Sequence, residues 1–203
     1  MEDVKKLSRL AWLIEALDGY RVGRALDPRI VEERLREFAD LFDNPNHVVK
    51  VVRVSMDKIV NLPVRDPGAR RWATVYMTTR LMLRVTVALF LLSALLAYRA
   101  PPAGLTLLYA SSALLYVALV LRWYSLNRVL DFYESNRSRF SGASRRLGEV
   151  AQDLIDHLRE AVRRGAVRPS KVRLHLFNTD YQGIRVLKRP GALRECYLCE
   201  VVP

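Results

Sequence analysis

The stretch that decides the fold is Leu81–Tyr98, LMLRVTVALFLLSALLAY. Fifteen of its 18 residues are apolar, the exceptions being Arg84, Thr86 and Ser93. A second run, Leu105–Leu121, reads LTLLYASSALLYVALVL, with only Thr106, Ser111 and Ser112 polar. As a helix each run would reach about 25–27 Å, close to the ~30 Å hydrocarbon core of a bilayer, and flanking Ala, Gly and aromatic residues supply the remainder. A helix on the surface of a soluble protein keeps a polar face, and neither run has one. Between them, Arg99-Ala-Pro-Pro-Ala-Gly104 should break the helix and turn the chain. The expectation is a two-span transmembrane helical hairpin. The first run does not read as a signal peptide, because a long, charged, helix-forming stretch precedes it.

Arginines set the expected orientation. Arg65, Arg70, Arg71, Arg80 and Arg84 lead into the first span, and Arg122, Arg128, Arg137 and Arg139 come after the second. The connection holds only Arg99. Both termini are therefore expected in the cytoplasm. Arg84 lies one turn inside the first span, where its side chain can snorkel to the headgroups. Trp72, Tyr76, Tyr98, Trp123 and Tyr124 stand at the span ends, where interfacial aromatic anchors belong. Close helix contacts are expected at Ser93 and Ala97, which have small-xxx-small spacing, and in the cluster Ala110, Ser111, Ser112 and Ala113.

The net charge of +12 on 203 residues first suggests a phosphate-rich partner. Its distribution changes that reading. Residues 1–66 hold 12 basic and 12 acidic residues, residues 67–140 hold 9 and 2, and residues 141–203 hold 12 and 7. More than half of the excess thus flanks the hairpin, where anionic lipid headgroups attract it. The expected partners are those headgroups, together with further copies of the chain or other subunits of a membrane complex. Nucleic acid is possible but not favoured.

The same divisions give the expected domains: an N-terminal cytosolic helical region (1–66), the hairpin with extended helices (67–140), and a C-terminal cytosolic α+β domain (141–203). Leu10, Leu13, Ile14 and Leu17 fall on one helical face, and Gly19 and Gly23 weaken the helix beyond it. Asp27-Pro28, Asn44-Pro45 and Asp66-Pro67 are helix start signals, each a capping side chain before a proline. Val31, Leu35, Phe38 and Phe42 form a stripe. Val48, Val51, Val52 and Ile59 fit a helix, although their β-branching would suit a strand. Ser141–Ser144 reads as a break in the exit helix. After it, Leu147, Val150, Leu154 and Leu158 lead the cleanest amphipathic pattern in the chain. From Lys171 the pattern alternates, and segments 172–177, 184–188 and 195–202 predict a three-stranded antiparallel meander covered by that helix. The fold class is mainly α.

Signals for chemistry are few. Cys196-Tyr-Leu-Cys199 is a CxxC, but it sits in a strand-like run without further paired ligands, so two small buried hydrophobes is the default reading. His47, His157 and His175 are scattered, and Asp153 and Asp156 suit a solvated face. Tyr181 at a strand turn could be an exposed recognition residue. No phosphate-binding loop, nucleophile elbow or zinc-protease motif occurs. No ionisable residue stands mid-span, which argues against a pump or transporter. No enzyme activity, cofactor or metal is expected. Together these features point to a membrane-anchored interaction or assembly protein, with the stripes at 31–42 and 147–162 as docking surfaces. An oligomeric two-helix channel is the alternative, and a membrane-tethered nucleic-acid or ribosome binder a further one.

Overall fold

The computed structural model describes residues 2–24, 27–165, 169, 172–191 and 194–202, with side chains described from residue 6 onward. Lys171 lies outside the described residues. Among them the chain forms seven helices: α1 (Glu2–Arg21), α2 (Pro28–Glu37), α3 (Pro45–Val60), α4 (Leu62–Arg65), α5 (Pro67–Arg99), α6 (Pro101–Ser135) and α7 (Arg137–Arg163). Three strands complete it, β1 (Arg173–Leu176), β2 (Ile184–Lys188) and β3 (Tyr197–Val201). The fold is mostly helical with a small antiparallel sheet at the C-terminal end.

The chain divides into two compact units. One contains residues 62–135, the other residues 1–61 together with 136–203. The sequence pattern puts the boundaries after residues 66 and 140; the structure places them after 61 and 135 and joins the two outer segments into one body. Long-range pairing is the reason, since α7 packs along α1 and α3.

The three start signals act as caps. Asp27 accepts a hydrogen bond from the Arg29 amide, Asn44 from His47 and Asp66 from Gly68. The helical reading of 48–59 holds. The stripe from Val31 to Phe42 does not lie on one helix, because α2 ends at Glu37 and a 3-10 turn covers Ala39–Leu41. α1 ends in a Schellman motif: Gly23 has φ 79°, its N–H donates to Tyr20 O, and the Arg24 N–H donates to Gly19 O.

The core of the α+β unit is made by α1, α2, α3 and α7. Leu13, Ile14, Leu17, Val31, Leu35, Met56, Ile59, Leu147, Leu154 and Leu158 are fully or almost fully buried there. The break expected at Ser141–Ser144 is absent; α7 runs through it, and the interruption falls at Asn136. A single glycine costs only about 1 kcal/mol against alanine and serine less, too little to stop an otherwise packed helix.

The sheet order is β1-β3-β2, with β3 antiparallel to both neighbours. This corrects the meander: β3 enters between the first two strands instead of adding outside β2. Leu174 faces Cys199 in one ladder and Val186 faces Cys199 in the other. The central place suits β3, whose Cys199, Glu200 and Val201 are buried. β1 turns Leu174 and Leu176 inward and packs on α1, and β3 touches α7. The cover expected from α7 alone is thus shared with α1. β2 is an exposed edge.

α5 and α6 form an antiparallel pair that is long and apolar enough, by length and composition, to cross a membrane. The turn between them is shorter than expected. Ala100 alone caps α5, and Pro101-Pro102 begin α6 instead of forming a loop. Proline is well suited to the first helical turn, where its missing N–H has no partner to lose.

Candidate functional site

The two long helices meet along a repeat of small residues. Thr79, Thr86 and Ser93 on α5 are buried, as are Gly104, Ser111, Ala118 and Ser125 on α6. Each series steps by seven. A strict seven-residue repeat keeps one narrow seam facing the partner helix in a left-handed supercoil. At the turn, a Cβ on Gly104 would overlap the backbone of Ala97, so only glycine permits the approach. Ser93 Oγ and Ser111 Oγ are 3.0 Å apart and buried. The seam hydroxyls also donate within their own helices: Thr79 to Tyr76 O, Thr86 to Met82 O, Ser93 to Phe90 O, Ser111 to Leu108 O and Ser125 to Arg122 O. Thr106 and Ser112 donate likewise to Pro102 O and Leu108 O. Every hydroxyl of a serine or threonine from 81 to 121 is therefore satisfied by the helix that carries it.

Beyond the apolar windows, arginines and aromatic rings form a cluster. The Arg122 guanidinium lies 4.9 Å from the Tyr76 ring centroid and donates to its hydroxyl at 3.4 Å. Arg128 donates to Tyr124 OH at 2.9 and 3.1 Å and stacks on the same ring. Trp72 meets Tyr124 edge to face at 5.2 Å. Guanidinium over an aromatic face is a favourable electrostatic contact that strengthens as water is removed. Arg70, Arg71 and Arg80 lie on α5 on the same side of the apolar window and Arg84 lies one turn inside it, Trp123 is exposed, and Tyr98 stands at the far end near the turn, 91% exposed.

Of the expected helix contacts, Ser93 and Ser111 come together and Ala97 lies against Gly104. Ala110 and Ala113 do not join the seam; both are exposed on the outside of α6. The expected docking stripes are also corrected. Val31, Leu35, Phe38, Leu147, Val150, Leu154 and Leu158 are buried inside the α+β unit, and Phe42 is half-buried. Both α2 and α7 pack on α1 and α3, so these faces form a core and not a free surface.

Asp18 organises the α+β unit and no sequence signal points to it. Its fully buried carboxylate accepts from the Phe177 N–H, from Asn178 N and Nδ2 at 3.2 and 2.8 Å, and from Tyr181 OH at 2.9 Å. All are donors, which suits an acceptor-only carboxylate. Burial pushes the Asp18 carboxyl above its ordinary value, and the bonds from Asn178, Phe177 and Tyr181 oppose that shift. Tyr181 is thereby buried, which rules out the exposed recognition role that its place at a strand turn could have given it. Arg21 stacks on the Tyr181 ring and donates to Asp180 Oδ1 at 2.9 Å, which lowers the Asp180 carboxyl. Gln152 clasps the Gln182 backbone by two hydrogen bonds. The 177–182 segment is thus tied to α1 and α7.

The remaining chemistry-bearing residues are placed structurally. His157 Nε2 lies 2.8 Å from Leu41 O, and His175 meets Glu15 Oε1 at 3.1 Å. The His47 backbone amide donates to the Asn44 cap. Cys199 is buried, and burial pushes its thiol up to about 11. Among the described residues no three His, Cys, Asp or Glu side chains are grouped to hold a metal. Leu41, Phe42, Asn44, Asp153, Asp156 and His157 line a shallow groove of about 590 Å³. Comparison of the chain with known protein families, curated proteins and solved structures finds no match.

Proposed function

We propose that this chain is an integral membrane protein of two spans, with both ends in the cytoplasm, and that it serves as an anchored assembly platform. The exposure of α5 and α6 carries this reading. Only 11% and 17% of their apolar windows are buried, and Leu81, Leu91, Leu92, Leu95, Leu107, Leu114 and Leu119 are each 50% exposed or more. Burying one such side chain is worth about 1.5–3 kcal/mol. Leaving so many in water would outweigh the ~5–15 kcal/mol that holds a typical domain together. A hydrocarbon solvent removes the conflict.

The platform reading rests on the chain order. The hairpin is inserted in sequence between the two halves of a single α+β unit. Both connections leave that unit for the bilayer, so it is tethered twice. With the apolar stripes used in the core, docking falls to the open edge of β2 and to the groove beside His157. An exposed edge strand offers unpaired backbone groups to a partner. The satisfied serine and threonine hydroxyls of the hairpin weigh against a pore, which needs polar groups turned to a water-filled path.

Alkaline carbonate extraction of native membranes, with crosslinking afterwards, tests the proposal. The protein should stay in the membrane pellet and be recovered in crosslinked assemblies. Release by carbonate, or a solitary monomer in the membrane, would contradict it.

A further inference from the structure

α6 carries a second seven-residue repeat, on the side turned away from α5. Thr106, Tyr109, Ala113, Tyr116, Val120 and Trp123 step 3-4-3-4-3, and every one is exposed. Successive residues turn by about 100°, which sets this line nearly opposite Gly104, Ser111 and Ala118. Tyr109, Tyr116 and Trp123 are 75%, 70% and 64% exposed. The line runs from 106 to 123, the length of the apolar run itself, and ends on an interfacial tryptophan.

Two of its members are out of place against lipid. Tyrosine belongs at the membrane–water boundary, where its hydroxyl meets water. Tyr109 and Tyr116 stand on either side of residue 113, the centre of the span, only about 4–6 Å from the midplane. Lipid tails offer a phenol hydroxyl no acceptor, and an unpaired polar group there is costly. A packed helix removes the cost by supplying oxygen acceptors at the same depth.

We propose that this line is a homodimer interface, in which α6 packs against α6 of a second copy about a two-fold axis along the membrane normal. The proposal rests on the two-span reading and names the partner. Copies inserted with the same orientation present the same six residues at the same depth, so the axis brings the line against itself without offset. Small layers (Thr106, Ala113, Val120) alternate with large ones (Tyr109, Tyr116, Trp123). Under that axis small layers face small layers and large face large, as the a and d layers of a parallel coiled coil do. The tyrosine hydroxyls meet at equal depth and bond to one another. With about 150–200 Å² exposed on each of three aromatics per copy, two copies bring up to about 1,000 Å² together, the lower limit for a specific interface. A continuous heptad seam on the free side of α6 extends the same helix-packing geometry that already joins α5 to α6.

Cysteine pairing in native membranes tests the interface, using full-length protein with Cys196→Ser and Cys199→Ser. Ala113→Cys and Tyr116→Cys should give disulfide dimers under a membrane-permeant oxidant. Leu114→Cys, at the same depth but rotated by about 100°, should not. Single-molecule photobleaching of the otherwise unaltered chain in dilute vesicles should show two steps. Equal crosslinking at 113 and 114, or single-step bleaching, would overturn the dimer, as would lipid or a different membrane protein as the occupant. Carbonate extraction of the same membranes separates the two ways to fail. Release would overturn the two-span reading and the dimer with it, whereas retention with single-step bleaching would overturn the dimer and leave the two-span reading standing.

Discussion

Ser93 Oγ and Ser111 Oγ face each other across the hairpin at 3.0 Å, where the seven-residue series of α5 ends and that of α6 reaches its second member. Their antiparallel pairing sets the register of the whole hairpin. Moving seven residues down one helix and up the other puts Thr86 level with Ala118 and Thr79 level with Ser125. Size matters more here than polarity, because each serine already has a carbonyl of its own helix within reach.

That distinction predicts opposite outcomes for two substitutions. Ser93→Ala with Ser111→Ala removes both hydroxyls and should cost only about 0.6 kcal/mol, the usual worth of an interhelical hydrogen bond in a membrane. Ser93→Leu should cost several times more, because an overpacked seam forces the helices apart. Gly104→Val should be worse still, since its Cβ would fall on the Ala97 backbone. Thermal unfolding in detergent measures all three. A larger loss for the double alanine than for Ser93→Leu would mean that polarity holds the hairpin.

Asp18→Ala should destabilise the α+β unit by about 3 kcal/mol, because it strands the Phe177 and Asn178 amides and the Tyr181 hydroxyl in a buried site. Hydrogen exchange locates the effect. Amides at 177 and 178 should lose protection first, while those in the middle of α6 keep theirs.

Acid should loosen the same segment. Arg21 holds the Asp180 carboxyl below its ordinary value of 3.8. A lowered acid stabilises the fold above that ordinary value and loses its contribution as pH falls through the folded value. Exchange at 177–182 should therefore accelerate below about pH 4. Asp180→Asn should abolish the acid step attributable to this pair, and persistence of the full step would assign it elsewhere.

The two cysteines should react unequally. Cys196 is half-buried, while Cys199 is buried with its thiol pushed up to about 11. At about pH 8, below the ordinary thiol range, an alkylating reagent should modify one thiol per folded chain, with the second reacting only on denaturation. Mass spectrometry reads the site. Equal rates at both would place Cys199 outside the core.

Much of this architecture is legible from local chemistry. The caps at Asp27, Asn44 and Asp66 each precede a proline, and the apolar runs at 81–98 and 105–121 have no polar face. The illegible part is non-local. Nothing near Asp18 in sequence announces that its partners lie about 160 residues away, and no local pattern shows β3 entering between β1 and β2. The apolar stripes led by Val31 and Leu147 read as free surfaces only because periodicity cannot tell which faces cover one another. The seven-residue steps from Thr79 and from Gly104 are present in the sequence. Four-residue spacing and local clustering obscure them by drawing Ala110 and Ala113 toward the seam, and those residues lie outside it.

The most direct test of the account is the sidedness of the hairpin turn. In protein with Cys196→Ser and Cys199→Ser, Ala100→Cys marks the turn and Arg145→Cys marks the α+β unit; both positions are exposed. A membrane-impermeant thiol reagent added to intact cells should label Ala100→Cys at once and Arg145→Cys only after permeabilisation. Labelling of Arg145→Cys on intact cells, or of neither position until the membrane is opened, would contradict a two-span protein with both ends in the cytoplasm.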